Sequence, residues 1–185
     1  MELTPPEGIF SRAKQRLRDT LANCYYFRNW TGELLDASEA IKRIYLDALP
    51  TLPNNQTYSR EAMFALRPFA IIYTTGLKIV ADSEPGGWHS EGSLTIEFEQ
   101  NVPDSIRNDP PEIDRLFDNR IGAIVFTGQP AMPGLMDLAK VKQQGFTDIT
   151  ELYKDGPWRT PEEEIHAKGD ASIYFLHITW GVTVR

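Results

Sequence analysis

Ser93-Leu94-Thr95-Ile96-Glu97-Phe98-Glu99 is the stretch that decides the fold. Leu94, Ile96 and Phe98 alternate with Ser93, Thr95, Glu97 and Glu99. Side chains of a strand point alternately to opposite faces, so this period of two predicts a strand with one apolar and one wet face. A sheet covered on one side and solvated on the other, usually antiparallel, reads this way.

Working outward, Phe69-Ala70-Ile71-Ile72-Tyr73-Thr74 is β-branched and aromatic, and Gly76 permits a turn or bulge before Leu77-Lys78-Ile79-Val80. Between these runs and the deciding strand stands Asp82 to Glu91, broken by Pro85-Gly86-Gly87. Thr147 to Tyr153 is a further candidate strand, and Ala171 to Val184 a long one with Tyr174, Leu176, Ile178, Trp180, Val182 and Val184 on one face. The polar segment Lys154 to Asp170 separates them. A structureless loop of that length is uncommon in a compact domain, so a protruding hairpin or arm is expected.

Helices are predicted around these strands. The first runs from Glu7 to Asn29, opened by Thr4-Pro5-Pro6-Glu7, with Phe10, Ala13, Leu17, Leu21, Cys24 and Tyr25 on one stripe. A second spans Asp36 to Ala48, capped by Asp36 and burying Ile41, Ile44, Tyr45 and Ala48; Thr51 to Ser59 is a loop. Asp109-Pro110-Pro111-Glu112 opens a helix to Phe126 that buries Ile113, Leu116, Phe117, Ile121 and Ile124. A short helix from Gly134 to Gln144 follows. The order predicts one α+β domain over residues 1–185: a mainly antiparallel sheet, helices packed on one face, and protruding loop or hairpin arms.

Composition narrows the function. Nineteen basic residues against 26 acidic ones leave a net charge of −7. Gripping nucleic acid through phosphates needs a basic footprint, and no segment supplies one. The start lacks a charged n-region and an apolar h-region, so no secretory signal is expected, and no apolar run reaches the roughly 20 residues of a membrane helix. Asn29-Trp30-Thr31 and Asn55-Gln56-Thr57 match the glycosylation sequon by chance in a chain without an export signal.

Neither a phosphate-cradling glycine loop nor a nucleophile elbow occurs. The single cysteine, Cys24, sits on an apolar helical stripe and is expected in the core. His89, His166 and His177 are too scattered for a zinc site. Glu97 and Glu99 share a strand face at about 7 Å, a separation at which paired carboxylates can do acid–base work. The simpler reading is the solvated side of the strand. Trp88, with His89, follows Gly86-Gly87, and Trp158, with Arg159, follows Gly156-Pro157. Both tryptophans are predicted in loops; they, their neighbours, Glu97 and Glu99 are the interface candidates. Trp30 is expected in the core. No catalytic residue, metal site or cofactor is expected.

The amphipathic helix Glu7–Asn29, the strand pair Phe69–Val80 and Gly92–Asn101, the helix Pro110–Phe126 and the closing strand Ser172-Ile173-Tyr174-Phe175-Leu176-His177-Ile178-Thr179-Trp180 resemble, in order and length, the tail terminator (tail completion) proteins of tailed bacteriophages. The resemblance covers most of the chain and rests on no short motif. It implies a virion protein assembled in the host cytoplasm as a homo-oligomeric ring, usually a hexamer. The ring stops tail-tube growth and docks neck and head-completion proteins, with DNA passing an acidic lumen unbound and no membrane involved. The second helix departs from the shortest members and leaves another head–tail connector or neck protein as the alternative. A cellular adaptor would use the same surfaces. A small-molecule enzyme or binding domain would have to draw on Glu97, Glu99, His177 and Cys24.

Overall fold

A computed structural model of the chain describes residues 9–81, 88–125, 127–140, 149–154 and 171–184. The deciding strand lies inside β3 (Trp88–Asn101), which pairs antiparallel with β2 (Phe69–Ala81) on one side and β5 (Ala171–Val184) on the other. β1 (Ile44–Leu46) runs parallel to β2, and β4 (Ile149–Lys154) runs antiparallel to β5. The sheet is therefore mixed, in the order β1-β2-β3-β5-β4. The fold is α+β.

Leu94, Ile96 and Phe98 are fully buried, and the register sets Ile96 and Phe98 opposite buried Ile72 and Ala70. This first face of the sheet meets α1 (Ile9–Ala22), α2 (Tyr25–Arg28), α5 (Pro110–Val125) and α6 (Leu135–Lys140) through Leu17, Leu21, Phe27, Trp30, Ile121, Ile124 and Leu135. Each such side chain contributes about 1.5–3 kcal/mol by leaving water. Gly76 meets its expectation: the β2–β3 register shifts between Thr74 and Gly76, a bulge midway along the ladder.

Three expectations need correction. The first helix does not run unbroken to Asn29. It ends at Ala22, Cys24 takes an extended conformation, and α2 starts at Tyr25. The Asn23 amide donates to the Asp19 carbonyl, and the Tyr25 N–H donates to Pro133 of a distant loop rather than up the helix. The break turns Phe27 and Trp30 into the core. The helix-start motif Thr4–Glu7 lies outside the described residues.

The second helix is mostly not one. Asp36 does cap, its carboxylate accepting from the Glu39 N–H, but α3 spans only Ala37–Ala40, followed by one tight turn over Ile41–Arg43. Ile44-Tyr45-Leu46 then enter the sheet as β1. Apolar residues at 41, 44, 45 and 48 fit helical spacing, yet a β-branched and an aromatic residue beside β2 gain a ladder there. Asp47 leaves the strand at a φ of 67° and is held by Lys14 Nζ, 2.6 Å from both carboxylate oxygens.

Helices do not all pack on one face. An unforeseen helix, α4 (Arg60–Leu66), is capped by the Ser59 hydroxyl, which accepts from the Ala62 N–H. Its C-terminal end is tied to Asn101, which shares the second face of β3 with Glu97 and Glu99. α5 and β5 match their expected spans closely. The expected arm lies outside the described residues over 155–170, as do 141–148 at the end of the short helix.

Candidate functional site

The second face of the central strands is not the wet surface that alternation suggests. Thr95 is fully buried and Glu99 is 3% exposed, while Glu97 is half-buried. In register, Phe69 stands opposite Glu99, Ile71 opposite Glu97 and Tyr73 opposite Thr95; from β5 come Ile173, Phe175 and His177 respectively. Phe69 is buried beneath the edge of Tyr45, their ring centroids 5.8 Å apart. The strand is thus covered on both faces at its C-terminal end.

Arg67 is what makes Glu99 tolerable there. A buried carboxylate needs a partner and hydrogen bonds. Arg67 Nη2 donates to Glu99 Oε1 at 3.4 Å, and Nε lies 3.3 Å from Oε2 but off the direction of its N–H. That second contact is an ion-pair approach, not a hydrogen bond. Both side chains are at most 5% exposed. Arg67 Nη1 also donates to Asn101 Oδ1, and Asn101 Nδ2 donates to the Phe64 carbonyl at 2.8 Å. Arg43 Nη1 completes the cluster by donating to the carbonyls of Leu66 and Pro68. The two residues that could have acted as a carboxylate pair therefore stand in different surroundings: Glu99 is buried against Arg67, and Glu97 is half-buried.

On the first face, Cys24 is fully buried. Burial, reinforced by the nearby Asp137 charge, pushes its thiol far above the ordinary range, which makes it a poor nucleophile. Asp137 organises the loop between α5 and α6. Its Oδ2 accepts from the N–H groups of Thr127, Gly128 and Gly134 and from the Thr127 hydroxyl. Burial pushes this carboxyl up, but the donated hydrogen bonds outweigh it and hold it below the usual range. Trp30 lies in the core as expected. Its ring meets Phe98 at 5.6 Å, and its Nε1–H donates to Gln100 Oε1 at 3.1 Å.

Of the four suspected enzyme residues, Cys24 is set apart from the other three. Cys24 belongs to the helical side, whereas Glu97, Glu99 and the His177 position belong to the second face. Among the described residues no group of three or more His, Cys, Asp or Glu is placed to hold a metal ion. Trp88 and His89 do not sit in a loop: they open β3, opposite Ala81 and Val80 of β2 and Val184 and Thr183 of β5. Of the expected break over Asp82–Glu91, residues 88–91 belong to β3, which begins at Trp88. Trp158 and Arg159 lie outside the described residues. Arg67 was missed. Its signal was a basic residue just ahead of a strand whose antiparallel partner ends in Glu99-Gln100-Asn101.

No helix among the described residues is long and apolar enough to cross a membrane. No protein-family model matches the sequence, and no curated protein does.

Proposed function

We propose that the chain is a structural subunit of a phage tail or neck, a tail terminator that assembles into a ring, caps the tail tube and docks head-completion proteins. The observation that carries this reading is the sheet. β2, β3 and β5 are 13 or 14 residues long, whereas the two edge strands, β1 and β4, have 3 and 6 residues. Among the described residues β1 pairs with only Ala70–Ile72 of β2, and β4 with only Ile178–Val182 of β5; the rest of each long strand's outer edge is of a kind that suits pairing with neighbouring subunits. Three ionisable groups serve the fold itself: Cys24 lies in the core, Glu99 pairs with Arg67, and Asp137 accepts from backbone N–H groups. The net charge of −7 suits a passage through which DNA slides without binding.

The test is assembly. Purified protein, alone and mixed with tail-tube and neck proteins, is followed by light scattering and negative-stain electron microscopy. Rings, or tubes capped at one end and limited in length, are the expected result. A strict monomer that neither binds tubes nor limits their growth overturns the reading.

A further inference from the structure

The connection between the parallel strands β1 and β2 differs from the rest of the described chain. From 47 to 66 no residue is buried, although the segment contains a capped helix. Phe64, in α4, is 53% exposed, and Met63 and Leu66 are only half-buried. Both strands flanking the connection belong to the core sheet through Ile44, Phe69, Ala70 and Ile72. The segment is fastened to the body near its C-terminal end by polar groups. Asn101 Nδ2 holds the Phe64 carbonyl, and Arg43 Nη1 holds the Leu66 carbonyl. Local opening costs least where little apolar surface is buried and attachments are hydrogen bonds that water can replace.

We infer that the 47–66 connection is a strap that opens as a local unit, with α4 swinging off the second face while β1, β2 and β3 stay paired. Its closed position is set by Asn101 and Arg43. Its hinge points are Asp47, where φ is 67° and the N–H is bonded to the Ile72 carbonyl, and Arg67, anchored by Glu99. Opening gives solvent or a partner access to the Arg67–Glu99–Asn101 cluster and frees the carbonyls at the end of α4. The inference concerns this chain alone and does not depend on ring formation.

Amide hydrogen exchange of the full chain tests it. The N–H groups of Met63 and Arg67, bonded to Ser59 and Met63 carbonyls, should exchange at least about tenfold faster than those of β2 and β3 near Ile72 and Ile96. Asn101→Ala should speed exchange across 63–67 by a further factor of about five, leaving the strand amides unchanged. Arg43→Gln, which removes the other clasp, should act in the same direction. Native-state proteolysis should cut within 50–66 before it cuts within β1, β2 or β3, and leave the two fragments associated. The strap is overturned if α4 amides in the unmodified chain are as protected as the strands. It is equally overturned if both variants raise exchange uniformly, because α4 then opens only with global unfolding.

Discussion

Arg67 and Glu99 form a buried ion pair on the face of the sheet away from the main helical layer, with Nη2 3.4 Å from Oε1 and neither side chain more than 5% exposed. The pair joins the C-terminal cap of α4 to the end of the central strand. Removing one partner strands the other charge without water. Glu99→Ala or Arg67→Ala should therefore cost about 3–5 kcal/mol of unfolding free energy. Replacing both, as Arg67→Met with Glu99→Leu, should cost far less than the two single changes summed. A double-mutant cycle in urea reads the difference. Additive losses would mean that the two residues act independently.

Trp30 and Gln100 make the matching polar contact on the first face. Trp30→Phe keeps the ring against Phe98 but removes the donor to a Gln100 carbonyl in a side chain only 4% exposed. The expected loss is about 1–3 kcal/mol, the cost of an unsatisfied buried acceptor. Gln100→Leu in the Trp30→Phe background should recover part of it. Both values come from chemical denaturation monitored by circular dichroism.

These two contacts also mark where the sequence was legible. Leu94, Ile96 and Phe98 announced the buried face by their period, and Ala171–Val184 announced its strand by length and β-branching. Both readings depend on local pattern alone. Thr95 and Glu99 were misjudged because a polar residue on a strand signals water only when nothing distant covers it. Glu99 is met by Arg67, which precedes β2, and Thr95 by the Thr75 hydroxyl; a pattern of period two carries no information about either. β1 was lost for a related reason: residues 41–48 satisfy helical spacing, and only the neighbouring strand decides between helix and ladder. The ionisable candidates could be named from residue type, but their separation onto two faces could not.

Asp137 ties the loop after α5 to the start of α6 through three backbone N–H groups and one hydroxyl. Its carboxyl is held below the usual range in the folded chain. A carboxyl whose folded pKa is depressed adds stability above its unfolded pKa, near 3.9, and loses that stability as pH falls through the folded value. Asp137→Asn should lower stability by about 1 kcal/mol at neutral pH, since the side chain is only half-buried and water replaces part of the cap. The deficit should shrink below about pH 4. Thermal melts of both proteins from pH 2.5 to 7 check this; a deficit that stays constant with pH would show that the charge is not involved.

Cys24 sits where the helix breaks, fully buried and with its Sγ–H directed to the Thr20 carbonyl at 3.5 Å. Burial and the Asp137 charge raise its pKa in the folded state. A thiol-specific reagent at pH 8 should therefore label the native chain only through opening of the α1–α2 junction, while labelling in urea is immediate. Raising a thiol's pKa on folding stabilises the chain fully below the unfolded value, near 8.5. The stability is then lost as pH rises past that value, because the unfolded chain releases a proton that the folded one retains. Stability should fall above about pH 9 by up to 1.4 kcal/mol per pH unit from this group. Cys24→Ala removes a small volume and that slope together. The comparison of the two proteins between pH 7 and 10.5 isolates the thiol from tyrosines and lysines that titrate in both. Parallel profiles would place the thiolate in contact with water and contradict the burial of the α1–α2 junction.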